Sequence, residues 1–69
     1  MTEVFYTVNL FKAEEIEDDI KVFSYDYPSH NMAITMCNTL AEGITDKEHY
    51  FVELLRYSED GKVQVLYRS

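Results

Sequence analysis

Pro28, Gly43 and Gly61 are the only proline and the only glycines in 69 residues, and each stands where a strand or helix would have to end. The stretches between them can be read by their hydrophobic period. Residues 3–11 alternate strictly, with Val4, Tyr6, Val8 and Leu10 on one side and Phe5, Thr7, Asn9 and Phe11 on the other; β-branched and aromatic residues dominate, which predicts a first strand. Ile20 to Tyr27 reads as a second strand. Both of its faces, Ile20/Val22/Ser24 and Phe23/Tyr25/Tyr27, are substantially apolar, so its inward side stays open.

Pro28 ends that strand, and Ser29 is placed to cap a helix running to about Glu42, with Gly43 as a left-handed stop. Ala33, Cys37, Leu40, Ala41 and Ile44 recur at helical spacing and define an inward stripe flanked by Ile34 and Met36. The opposite side, Asn31, Met32, Thr35, Asn38 and Glu42, holds no basic residue. Residues 49–57 and 62–68 flank Ser58-Glu59-Asp60-Gly61, whose Asp-Gly pair signals a hairpin. Val63, Val65 and Tyr67 form the expected inward face of the last strand, whereas Tyr50/Val52/Leu54 and Phe51/Leu55/Tyr57 compete for that role in the third. The order is ββαββ: an α+β fold, with an antiparallel sheet covered on one face by one amphipathic helix, in a single domain of residues 1–69.

A chain of this size buries a modest core, supplying about 3–5 kcal/mol, and leaves little room for an enclosed active site. With 46% hydrophobic and 28% charged residues it is too apolar for disorder. One cysteine, Cys37, excludes an internal disulfide and fits a reducing cytoplasm. The N-terminus MTEVFYTVNLFK lacks the basic region of a secretory signal, and nothing approaches the ~20 apolar residues of a membrane span.

Five carboxylates in six positions, Glu14, Glu15, Glu17, Asp18 and Asp19, supply most of the net charge of −7; without them it would be −2. An acidic chain is poorly suited to nucleic acid or anionic lipid, whose binding depends on lysine and arginine, and well suited to a basic protein surface. In a helical turn Glu14, Glu17 and Asp18 share a side; in extended chain Glu15, Glu17 and Asp19 do. Either spacing sets carboxylates several ångströms apart, loosely like successive phosphates. The plainer reading of the run, and the one its composition favours, is a solvated loop that keeps the protein in solution. It lacks the glycine and alternating oxygen ligands of a calcium loop, so no metal is expected.

His30 and His49 have no serine, cysteine or carboxylate at a catalytic spacing, and Cys37 falls on the apolar stripe, where burial suppresses the thiolate. The expectation is a non-enzymatic protein without cofactor. The aromatics point further. One helix covers one face of a four-stranded sheet, yet the strands carry large rings on both, and tyrosine suits a partly wet contact. Tyr25 and Tyr27 therefore join Glu14, Glu15, Glu17, Asp18 and Asp19 as candidate partner-binding residues, with homodimerisation through the surplus aromatics as the alternative. An RNA-binding sheet would need a basic surround that this chain lacks.

Size, acidity and element order across the whole chain resemble phage-encoded inhibitors of bacterial host systems, anti-CRISPR proteins among them. The resemblance carries no motif and so assigns no residue. It implies a stoichiometric inhibitor acting in the host-cell cytoplasm, a nucleic-acid mimic that occupies the basic surface of a nuclease or nucleic-acid-binding complex.

Overall fold

A computed structural model describes residues 4–69. Its elements are β1 (Phe5–Lys12), β2 (Ile20–Tyr27), α1 (His30–Gly43), β3 (Tyr50–Tyr57) and β4 (Val63–Arg68). The strands form one antiparallel sheet in the order β2-β1-β3-β4, with α1 on one face, so the expected α+β ββαββ architecture holds. Residue 3, the expected start of the first strand, lies outside the described residues. Among the described residues no helix is long and apolar enough to cross a membrane.

The core gathers Val8, Ala33, Cys37, Val52 and Leu54, with Tyr6, Leu10, Tyr27, Ile34, Met36, Leu40, Ala41 and Ile44 packed around it. Small Ala33 and Cys37 let the helix approach the sheet closely, and the predicted stripe faces inward. Register settles the strand faces that periodicity left open. Val8 opposes Leu54 and Leu10 opposes Val52, so Tyr50, Val52 and Leu54 form the helix-side face of β3. Tyr6, Val8 and Leu10 oppose Tyr27, Tyr25 and Phe23, which turns that set of β2 toward the helix.

Each edge strand contains an irregularity that inverts its period. In β2 the pairing slips after Leu10 so that Val22 is skipped and Lys21 opposes Phe11. An unbroken strand would have put Lys21 on the same side as Phe23, facing the helix; the bulge sends its ammonium to the open face, 5.8 Å from the Phe11 ring centre. In β4 the slip falls at Leu66, and this overturns the expected inward face. Val63 and Val65 oppose Tyr57 and Leu55 on the open face, whereas Tyr67 opposes Leu54 on the helix side. One extra residue suffices, because a shift of one exchanges the faces of everything beyond it. All six β4 residues are exposed.

Two expected helix boundaries also differ. Ser29 occupies the N-cap with extended backbone, but its hydroxyl makes no cap bond; its carbonyl accepts from Ala33 N at 3.1 Å. Gly43 ends the helix without a left-handed turn, and the chain leaves through extended Ile44, whose N–H donates to Ala41 O. The one positive φ among the described residues is at Gly61, +83°, in the β3–β4 turn. There Gly61 N donates to Ser58 O at 3.0 Å, and Asp60 accepts from the Ser58 hydroxyl and from Lys62 N. These bonds, the Ser58 hydroxyl foremost, hold the Asp60 carboxyl below its ordinary value.

The open face is organised by cross-strand stacking. Phe5 and Tyr57 stack at 4.7 Å between ring centres, and Phe11 and Phe51 at 5.1 Å. The second stack is flanked by cations from both edge strands, Lys21 beside Phe11 and Arg68 at 4.9 Å from the Phe51 centre. Lys21, Phe11, Phe51 and Arg68 thus form a row with one member from each of the four strands. Each aromatic pair contributes about 0.5–1.5 kcal/mol beyond its area, and each exposed cation about 0.5–1 kcal/mol. Between the stacks Thr7 donates to Asp26 at 2.6 Å, and Asn9 lies 3% exposed although no second layer covers this side.

Leu54→Ala should cost ~2–5 kcal/mol in denaturant unfolding; half-buried Leu40→Ala should cost less, and exposed Asn38→Ala no more than ~0.5 kcal/mol. The depressed Asp60 value gives a pH dependence of known sign. Its contribution is present above the unfolded carboxyl value of about 4 and is lost as pH falls through the lower folded value, so Asp60→Asn should flatten the acid limb of the stability profile.

Candidate functional site

The acidic run is the β1–β2 connection, residues 13–19, and its base is pinned by Ala13 N donating to His49 O at 2.6 Å. Glu15, Glu17, Asp18 and Asp19 are exposed, Glu14 is half-buried, and the loop's ion pair among the described residues is Lys12–Glu14 at 3.9 Å. Because β1 runs into this loop and β3 runs out of the same end of the sheet, the loop shares that end with residues 44–49, which connect α1 to β3. His49 there holds Asp46 through Nδ1 at 2.8 Å. A shallow open depression lies between Glu14, Glu15, Ile16, Glu17 and His49.

The helix adds to the charge at this end. It begins beside Tyr6, where His30 packs at 5.2 Å, and finishes beside Leu10 and Tyr50, so its C-terminus points the same way as the acidic loop. Its last turn has no basic residue and carries Glu42. Unsatisfied carbonyls at a helix C-terminus amount to a partial negative charge of roughly half a unit. Glu42, Asp46 and Glu48 thus join the five loop carboxylates at one pole, whose basic residues are Lys12 and Lys47 together with Lys21 and Arg68 beside the Phe11–Phe51 pair on the open face.

Within this pole sits an apolar group that sequence reasoning passed over. Ile16 is 96% exposed, the most exposed large hydrophobic residue among those described. Its signal was available, as the one apolar side chain inside the acidic run, with no strand or helix spacing to bury it. Glu42, Asp46 and Glu48 carried no such signal, because only the strand order brings them to the same end.

Tyr25 and Tyr27 do not join this surface. They lie on the helix side of β2 with ring centres 4.9 Å apart, Tyr25 exposed and Tyr27 packed against the core. Six residues of extended chain separate Asp19 from Tyr25, about 20 Å. The seven candidate residues therefore form two places, an acidic pole and a tyrosine pair toward the other end of the same strand.

His30 packs on Tyr6, His49 pairs with Asp46, and burial pushes the Cys37 thiol up. Among the described residues no cluster of histidine, cysteine and carboxylates is arranged to hold a metal ion. No family model matches the chain, and no curated protein or solved structure matches it.

Proposed function

We propose that this protein is a non-enzymatic binding module that sets its acidic pole on a basic protein surface, with Ile16 as the apolar anchor at the centre of the contact. The observation that carries this reading is the almost fully exposed isoleucine inside a run of exposed carboxylates. Charge alone serves solubility equally well, but a projecting isoleucine does not. Burying it against a partner is worth about 1.5–3 kcal/mol, and anchors of this kind sit at interface centres inside a polar rim. The surrounding carboxylates supply long-range attraction and speed encounter with a positive partner.

The partner that fits best is a protein surface built to hold nucleic acid, since its lysines and arginines are spaced for phosphates. The protein then acts as a stoichiometric, anti-CRISPR-like inhibitor in the cytoplasm of the host cell. Direct binding of RNA to the open sheet face is disfavoured by the packing there. The Phe11 and Phe51 rings stack on each other with Lys21 and Arg68 beside them, and Phe5 stacks on Tyr57, so little ring face remains for a base.

Capture from extracts of the host cells, followed by binding kinetics on the captured partner, tests the proposal. Changing Glu14, Glu15, Glu17, Asp18 and Asp19 to their amides should slow association and flatten its salt dependence, while folding persists. Ile16→Ser should instead speed dissociation. Unchanged kinetics in both variants would leave the loop a solvated connection.

A further inference from the structure

We propose that a second copy of this chain pairs with β4 edge to edge, extending the sheet to eight antiparallel strands about a two-fold axis through Gln64. This interface is separate from the acidic pole and does not rest on its function.

No described residue pairs with the outer edge of β4, and every residue of the strand is exposed although four of its six are apolar: Val63, Val65, Leu66 and Tyr67. Edges of this kind are templates for another strand unless charge or a bulge blunts them. The opposite edge, β2, is blunted at its start by the Val22 bulge and Lys21, where it leaves the acidic loop, and its regular remainder, Phe23–Tyr27, carries the charge of Asp26. In β4 the irregular residue is Leu66, which leaves Val63–Gln64–Val65 a regular segment.

Backbone polarity fixes how that segment can pair. Ser58 N donates to Lys62 O at 2.9 Å, so alternation along the ladder turns the Gln64 amide and carbonyl toward β3 and those of Val63 and Val65 toward the free edge. Placing Gln64 on the axis sets Val63 opposite Val65 of the second copy, and the reverse, giving four N–H···O bonds between groups already facing outward. The four valines meet on the open face, and the two Gln64 amides, each both donor and acceptor, meet on the helix side.

Charge selects this register and this occupant. It brings Arg68 alongside the Glu59–Asp60 turn of the second copy, twice by symmetry. A slide of two residues one way puts Lys62 opposite Arg68, and the other way puts Val65 opposite Gly61 and keeps a single valine pair, Val63 with Val63, in place of two. The two-fold also sends the acidic poles to opposite ends of the joined sheet, which minimises repulsion between chains of net charge −7.

Sedimentation equilibrium and oxidative cross-linking of the full chain test the proposal. The wild type should dimerise reversibly, and Gln64→Cys should form a disulfide-linked dimer on mild oxidation, because residues on the axis directly face each other at a non-hydrogen-bonded pair. Val22→Cys on the β2 edge should cross-link far more slowly; Cys37 is buried and does not compete. Val65→Lys should be monomeric with an unchanged circular dichroism spectrum. A wild type that stays monomeric at millimolar concentration would overturn the proposal. So would a dimer that survives Val65→Lys, or cross-linking of Gln64→Cys no faster than that of Val22→Cys.

Discussion

The pairing of β1 with β3 is the interaction on which both faces of this molecule depend. One register sets Val8 against Leu54 and Leu10 against Val52 beneath the helix, and sets Phe5 against Tyr57 and Phe11 against Phe51 on the other side. The two strands come from different hairpins, so α1 and its flanking loops must close before any of these contacts exist. A slip of one residue would send Val52 and Leu54 into water and drive Phe51 and Leu55 under the helix, breaking core and stacks together. The same pairing fixes which end of the sheet receives the loops 13–19 and 44–49, and so assembles the negative pole.

With a single helix, this sheet has no second layer for the rings on its open side. The chain meets that constraint internally, with stacked pairs across the central strands and a cation from each edge strand beside one of them. Both bulges serve this arrangement: the one at Val22 turns Lys21 outward and the one at Leu66 turns Arg68 outward. Surplus aromatics therefore do not by themselves require a partner. Among the described residues, what remains unpartnered is more local: the projecting Ile16 and the outer edges of β2 and β4.

Element order, the Gly61 hairpin, the helix stripe and the two faces of β1 were legible in the sequence, because each follows from a local period or a turn residue. The faces of β2 and β3 were not, since both sides of each strand are apolar and only pairing with β1 decides between Val52 and Phe51. For β4 the period itself misled: Val63, Val65 and Tyr67 look continuous until Leu66 is counted as an extra residue. At the pole, the acidic run stood out in the sequence, while the contributions of Glu42, Asp46 and the helix C-terminus depend on strand order. Tyr25 and Tyr27 were expected to share a contact surface with the carboxylates, but separation along an extended strand keeps them apart from the loop.

The central functional claim is that carboxylates from two loops and a helix end act as one surface. Amide chemical shifts of the isotope-labelled protein, followed while a short lysine-rich peptide is added, test it most directly. Shifts should concentrate in residues 14–19 and 42–49 and share one binding curve, with the Ile16 amide among the most affected. Shifts spread evenly over all acidic positions, or strongest at Glu59 and Asp60, would contradict it.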